Sequence, residues 1–215
     1  MNYLAIVNEV MLRLREDEVA SVSESSYSRL IGVFVKQALS EVEDARDWNV
    51  LRTTIQVTTG AGDWNYALTN AGTSYNILCV FNDTEDYEVQ KAPSATWMTH
   101  NLLGPTTEQN QPGYYDINGV DASGDPIVNF WPIPDGVYNV NFNMKIKTVL
   151  SADTDEVYVD TLPVILKATL LAVDERGDDA GLTIDALQGQ FSNALANATA
   201  YDANLNEDET VWEVE

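Results

Sequence analysis

The spacing of apolar residues changes twice along the chain and divides it into three parts. Residues 1–49 repeat apolar side chains every three or four positions, which predicts amphipathic helices. Residues 50–150 alternate apolar and polar side chains, which predicts β-strands, and residues 151–205 return to the helical spacing. We therefore expect an α+β fold: a helical layer formed by both chain ends, with an inserted, mostly antiparallel β segment, all in one structural unit.

Two helices are predicted in the first part. The first is indicated by an apolar stripe of Leu4, Val7, Met11 and Leu14. The second runs from Tyr27 to Ala45, ends near Trp48, and keeps charged residues on its other face. The serine-rich segment between them offers N-caps, and Ser21 with Glu24 fits a capping box.

The clearest strand prediction is the segment from Tyr138 to Lys147. Its odd-numbered residues are Asn or Lys, and Lys145 is one of them, whereas its even-numbered residues are apolar. It should therefore be an antiparallel strand with one face in water. Shorter strands are expected at 52–58 and 76–81. The single cysteine, Cys79, lies in the second of these and is expected to fill the core.

The segment 91–119 is long and weakly patterned, and it is rich in Pro, Thr, Asn and Gln. A loop of this length inside a compact domain is usually a functional arm or an interface segment. We predict such an arm here, with a short helix at 94–103 as the alternative reading of its first part.

Two further helices are predicted near the C-terminus. One starts at Thr161-Leu162-Pro163 and stops at Gly177, and the other spans Thr183–Leu205. Small residues on the second helix allow close helix approach. We predict subunit-interface contacts at four of its positions: Phe191, Ala194, Ala198 and Tyr201. An acidic tail, residues 206–215, follows and contains one aromatic residue, Trp212.

Charge excludes one class of function. The chain has 34 acidic and 11 basic residues, a net charge of −23. Residues 1–52 contribute −3, residues 53–176 contribute −11 and residues 177–215 contribute −9. Such a surface repels phosphate, so nucleic-acid binding through a basic patch is not expected. The acids either maintain solubility or line a surface past which DNA moves without adhering.

No apolar run of about 18 residues is present, so no membrane span is expected.

Few residues suit enzymatic chemistry. One histidine, His100, and one cysteine, Cys79, cannot supply a structural zinc site, and no nucleotide-binding motif occurs. We therefore expect no catalytic residue, metal or cofactor.

Two alternatives to this expectation stay open. Paired carboxylates can cleave glycosidic bonds, which describes a cell-wall or glycan hydrolase. Aromatic side chains can instead form a carbohydrate- or protein-binding module, with five candidates: Trp97, Tyr114, Tyr115, Trp131 and Trp212.

Four segments carry a resemblance to a known family. They are the opening Ile6–Leu14, the helix Ser28–Trp48 that closes with Ala45-Arg46-Asp47-Trp48, Gly113-Tyr114-Tyr115 with the later Phe130-Trp131-Pro132-Ile133-Pro134, and Thr161-Leu162-Pro163 before a helix ending at Gly177-Asp178-Asp179. In order and spacing the chain resembles the phage adaptor family, the head-to-tail connector or tail-tubular proteins of short-tailed phages.

The resemblance implies a structural role in the virion at the head–tail junction. Members of this family form a ring, here expected to contain twelve subunits, that docks beneath the portal protein and extends the DNA channel. Implied partners are other copies of the chain, the portal, a tail nozzle or tube protein and possible fibres, while genomic DNA passes without specific binding. Assembly is expected in the host cytoplasm. The portal-binding segment would be the acidic tail: Asn206, Glu207, Asp208, Glu209, Val211, Trp212 and Val214.

Overall fold

The computed structural model describes residues 1–104, 108–177 and 183–203. The helices are α1 Tyr3–Arg13, α2 Ser26–Asp44, α3 Ala95–Leu103, α4 Thr161–Arg176 and α5 Ile184–Ala203. The strands are β1 Arg52–Thr58, β2 Asn65–Ala67, β3 Tyr75–Asn82, β4 Tyr87–Glu88, β5 Gln90–Lys91, β6 Gln109–Asn110, β7 Tyr114–Val120, β8 Pro126–Trp131, β9 Ile133–Pro134 and β10 Asn139–Ile146. The predicted α+β class is confirmed.

The chain forms two compact units. The helical unit combines Met1–Leu51 with the described residues of Lys147–Glu215, and the β unit is Arg52–Ile146. In the helical unit, α1, α2, α4 and α5 share one apolar core. Helix α4 is central, because nine of its 16 residues are buried, as expected for a helix that is apolar on most sides. The helical layer formed by both chain ends is therefore confirmed.

The start of α2 differs from the prediction. Ser25 is the N-cap, and its side chain accepts a hydrogen bond from the Ser28 backbone N–H at 2.9 Å. The Ser28 hydroxyl accepts from the Ser25 N–H and donates to the Val22 carbonyl oxygen, each at 3.0 Å. A capping box built on Ser21 and Glu24 is therefore wrong. Burial of Val22 holds the chain outside the helix until Ser25, so the cap falls one turn later.

The β unit consists mainly of two four-stranded sheets. Their orders are β1-β10-β3-β4 and β2-β8-β7-β5, and the short strands β6 and β9 form a third pair. The parallel pairs in the described residues are β5–β7 and β6–β9, so the sheets are mostly antiparallel, as predicted. The two four-stranded sheets share one core, in which Phe130 and Phe142 are fully buried.

The alternation predicted for β10 holds on its apolar face. Val140, Phe142 and Met144 are fully buried, and Asn139, Asn141 and Asn143 lie on the opposite face. Lys145 is an exception to the expected wet face, because only 8% of it is exposed. It lies opposite Arg52 on β1.

Cys79 does not fill the core. The pairing of β10 with β3 shifts between Asn143, which faces Cys79, and Met144, which faces Ile77. Leu78 is therefore an extra residue on β3, a β-bulge, and it reverses which side chains point inward. Without the bulge, Cys79 would lie on the same face as Ile77. With it, Val80 is buried and Cys79 is exposed.

The segment 91–119 is not one long loop in its described part. It contains α3, whose N-cap Ser94 accepts from the Trp97 backbone N–H at 3.1 Å, followed by β6 and β7. The alternative of a helix at 94–103 is therefore confirmed. Among the residues that the structure describes, no helix combines the length and apolarity needed to cross a membrane.

Candidate assembly surfaces

Helix α5 carries the residues predicted to contact neighbouring subunits. Phe191, Ala194 and Ala198 are buried in the core of the helical unit, on the side of α5 that faces its own subunit. Tyr201 is 73% exposed. Three of the four side chains thus stabilise the subunit itself, and Tyr201 is the one available to a partner. The assignment of an interface to α5 stays a prediction.

The solvent-facing side of α5 has an unusual composition. No charged residue occurs between Asp185 and Asp202, although 21% of the whole chain is charged. The exposed residues of this stretch are amides, small side chains and one tyrosine: Ala186, Gln188, Gly189, Gln190, Ser192, Asn193, Ala196, Asn197, Ala200 and Tyr201. This surface, the α5 outer face, is uncharged over about 16 residues, or roughly 24 Å at 1.5 Å per residue.

A buried carboxylate fixes the end of α5. Asp202, only 5% exposed, accepts hydrogen bonds from the Asn49 backbone N–H at 2.9 and 3.2 Å. The Asn49 side-chain amide also donates to Asp202, at 3.3 Å to the carboxylate and 3.1 Å to the backbone carbonyl. Arg46 Nε lies 3.3 Å from the same carboxylate, and Arg46 also donates to the Thr199 carbonyl oxygen at 3.0 Å. Asp202 therefore ties the last turn of α5 to the segment that follows α2.

The predicted portal-binding tail, from Asn206 to Val214, lies outside the described residues. It begins three positions after Ala203, the last residue of α5.

Many basic side chains of the helical unit are already paired. Five salt bridges join a lysine or arginine to a carboxylate: Arg13–Glu9, Arg46–Asp202, Lys147–Asp44, Lys167–Glu41 and Arg176–Glu16. Each neutralises one of the 11 bases of the chain against one of its 34 acids. The surplus acids therefore give the electrostatic field around the chain its negative sign.

The aromatic residues proposed as a sugar-binding groove pack against each other instead. The rings of Trp97 and Tyr114 lie 5.1 Å apart edge to face, and those of Trp97 and Trp131 lie 5.0 Å apart in the same arrangement. Tyr115 is buried in the core of the β unit. These contacts hold α3 against β7 and β8, so the ring faces stabilise the fold. Trp212, the remaining candidate, lies outside the described residues.

Two of the carboxylates in the described residues serve the fold of the chain. The Asp155 side chain accepts from the backbone N–H groups of Ser151 and Ala152 at 2.6 and 2.7 Å, and these bonds lower the pKa of its carboxyl group. Burial raises the pKa of Glu43, against the lowering effect of its hydrogen bonds from Thr148, whose backbone N–H donates at 3.2 Å. Asp155 closes a local turn, and Glu43 joins α2 to the segment that follows β10.

The single histidine and the single cysteine lie on different elements of the fold. His100 is exposed on α3 and Cys79 is exposed on β3. In the described ranges, no three His, Cys, Asp or Glu side chains are grouped as a metal ion would require.

Comparison with known proteins identifies the family. The model of the SU10 adaptor protein family matches residues 1–210, and the chain belongs to this family. No curated protein sequence matches. Among solved structures, a chain from "Neck of empty GTA particle computed with C6 symmetry" is 14% identical, with 86% of this chain and 87% of that chain covered. Its TM-score is 0.28, too low to support an argument about structure.

The class follows from the family. The chain is a structural protein of the bacteriophage virion, an adaptor that connects head and tail at their junction, and it is not an enzyme. The sequence prediction of a phage adaptor is confirmed.

Two features of these surfaces were missed from sequence alone. The charge-free stretch of α5 was visible in the printed sequence as a gap between Asp185 and Asp202. The role of Asp202 was not visible, because its partners Asn49 and Arg46 lie about 150 positions earlier in the chain.

Proposed function

We propose that the chain forms a twelve-membered ring that docks beneath the portal and extends the DNA channel toward the tail. Membership of the SU10 adaptor family, with a match over residues 1–210, is the observation that carries this proposal. The partners are other copies of the chain, the portal, and a tail nozzle or tube protein, with fibres as a further partner. Subunits are made and assembled in the host cytoplasm.

The charge of the chain supports a channel role. A duplex carries one negative charge per roughly 1.7 Å, so a wall with basic patches would hold the genome during its passage. This chain has a net charge of −23, and five of its bases are neutralised by carboxylates within the subunit. An assembled ring would therefore repel DNA at every point where unpaired acids face it.

The α5 outer face supports lateral contact between subunits. Like charges that face each other across an interface oppose association, so copies of an acidic protein assemble best through uncharged surface. The α5 outer face meets this condition, and its exposed Tyr201 is of the residue type enriched at interface centres. Tyr201 thus remains an interface residue in the proposal, while Phe191, Ala194 and Ala198 support the helix from behind.

The acidic tail is proposed to grip the portal. Residues 206–215 contain a single aromatic side chain, Trp212, flanked by carboxylates. Tryptophan is among the residues most enriched at positions that carry the binding energy of protein interfaces. The Asp202 contacts would give this segment a fixed origin on the ring.

The test is reconstitution with the portal. Purified adaptor is mixed with its portal and imaged by negative-stain electron microscopy, beside a variant that ends after Leu205 and a Tyr201→Ala variant. We expect the full chain to add a ring beneath the portal, the truncated chain to add none, and Tyr201→Ala to add incomplete rings. Absence of a ring with the full chain would contradict the proposal. Rings with the truncated chain would remove the tail from it.

A further inference from the structure

We infer that the outer face of the sheet β1-β10-β3-β4 is a second contact surface between copies of this chain. The inference rests on the ring proposed above. A closed ring uses heterologous contacts, in which each subunit presents two different surfaces to its two neighbours. The α5 outer face supplies one such surface, and a second must therefore exist elsewhere on the chain.

The sheet face is defined by its strand pairing. In the middle row Gln56 lies opposite Asn141, which lies opposite Phe81 on β3. The rows on either side pair Thr54 with Asn143 and Cys79, and Thr58 with Asn139. None of these eight residues of β1, β10 and β3 is charged: Thr54, Gln56, Thr58, Cys79, Phe81, Asn139, Asn141 and Asn143. This set is the neutral sheet face.

Its composition differs from the margins of the same sheet. The turn after β3 carries Asp83, Glu85 and Asp86, all exposed, and Glu88 on the edge strand β4 lies opposite Phe81. The neutral sheet face is therefore bordered by Asp83 and Glu88, and at its other end by Arg52 and Lys145, but the strands β1, β10 and β3 contain no carboxylate. Between copies that each carry −23, a face without carboxylates is where contact meets least repulsion.

The neutral sheet face also has apolar content that a solvated sheet face does not need. Phe81 is 37% exposed, as is Leu78, the residue that forms the bulge. The bulge also turns Cys79 outward. Bulges commonly redirect side chains at functional positions. Here the bulge places an apolar side chain, Leu78, and a weakly polar one, Cys79, beside Phe81 on a surface that otherwise presents amides and hydroxyls.

The polar side chains of this face are already ordered. Gln56 Nε2 donates to Asn141 Oδ1 at 3.1 Å, and Thr58 Oγ1 donates to Asn139 Oδ1 at 3.0 Å. Side chains fixed before association lose less conformational entropy when a partner binds. Strand spacing of about 4.8 Å and a rise of about 3.4 Å per residue give a face of roughly 10 Å by 14 Å. It can form the centre of an interface, whose usual extent is about 800 Å² per partner.

The single cysteine provides a direct readout. In free adaptor, Cys79 should react with a small maleimide, because it is exposed. In rings assembled on the portal, we expect its reaction rate to fall by about tenfold or more, as for groups excluded from water at an interface centre. An unchanged rate in complete rings would overturn the inference. Protection that appears only after the tail protein is added would also overturn it, and would assign the face to that protein.

A charge placed on the face gives an independent test. Asn141→Asp keeps the oxygen that accepts from Gln56, so the sheet should fold, and it places a carboxylate at the centre of the face. We expect about a tenfold higher adaptor concentration for half-maximal ring formation on the portal. The matched control is Asn118→Asp on β7, where the same substitution falls on an exposed residue outside the face. Equal ring formation by both variants would overturn the inference.

The two proposals fail in different ways. If the unmodified chain forms no ring, the proposed function fails and Cys79 has no assembled state to report on. If it forms rings in which Cys79 stays reactive and Asn141→Asp assembles normally, the ring stands and the neutral sheet face is not a subunit contact. Thermal unfolding of Asn141→Asp, compared with Asn118→Asp, shows whether any assembly defect arises from misfolding.

Discussion

Replacing Asp202 with alanine tests how the end of α5 is held. The substitution removes a buried carboxylate, together with its contacts to the Asn49 N–H, the Asn49 side chain and Arg46. Loss of a buried hydrogen-bonded charge pair costs about 3 kcal/mol, within a range of roughly 2 to 4. At about 1.4 kcal/mol per factor of ten, this corresponds to roughly a hundredfold greater opening of the last turns of α5.

Hydrogen–deuterium exchange read by mass spectrometry measures that opening directly. Peptides covering the second half of α5 should exchange about a hundredfold faster in Asp202→Ala, while peptides from the β unit keep their rates. Asp202→Asn keeps an acceptor oxygen and should give an intermediate increase, about tenfold. The control is Asp185→Ala, an exposed acid in the first turn of the same helix, where the loss is below about 1 kcal/mol. The reasoning is refuted if Asp202→Ala and Asp185→Ala exchange alike in the second half of α5.

Three further predictions concern packing, pH and DNA. Gly32→Ala should lower the stability of the helical unit by about 1 to 3 kcal/mol, because an added Cβ would collide with the side chains of Tyr3 and Val22. Urea unfolding followed by far-UV circular dichroism measures this change, and an unchanged urea midpoint would contradict the prediction. Glu43→Gln should match the original chain in melting temperature at pH 4 and equal or exceed it at pH 7. Burial raises the pKa of Glu43, so the folded chain favours the protonated carboxyl group. The stability that Glu43 contributes is therefore complete below its ordinary pKa of 4.5 and is lost as pH rises through its folded-state pKa. A loss of melting temperature in Glu43→Gln that is larger at pH 7 than at pH 4 would contradict this sign. Portal-bound rings should not retain a short duplex in a gel-shift assay even at low salt, where electrostatic attraction is strongest, and salt-sensitive retention would reveal a basic surface that the charge argument excludes.

The helical part of the fold was predictable because its signals are local. Stripes at three- and four-residue spacing identify α1, α2 and α4, and Thr161-Leu162-Pro163 and Gly177 mark the ends of α4. Gly177 has a φ of 72°, a conformation that glycine adopts without strain, which explains why it ends the helix.

The features that sequence did not predict depend on pairing between distant segments. The position of Cys79 follows from a bulge that appears only when β3 is aligned with β10, more than 60 positions later. The cap of α2 was misplaced by one turn, because the choice between Ser21 and Ser25 depends on burial of Val22. The stripe on α5 was detected correctly, but periodicity cannot say whether an apolar stripe faces its own core or a neighbouring subunit.

The assembly itself offers the most direct test of the account. Cryo-electron microscopy of intact virions, reconstructed at the head–tail junction, should show a ring of twelve copies of this chain between the portal and the tail, with residues 206–215 against the portal. The α5 outer face and the neutral sheet face should each lie against an adjacent copy. A junction in which this chain makes no contact with the portal, or in which it does not form a closed ring, would contradict the central claim.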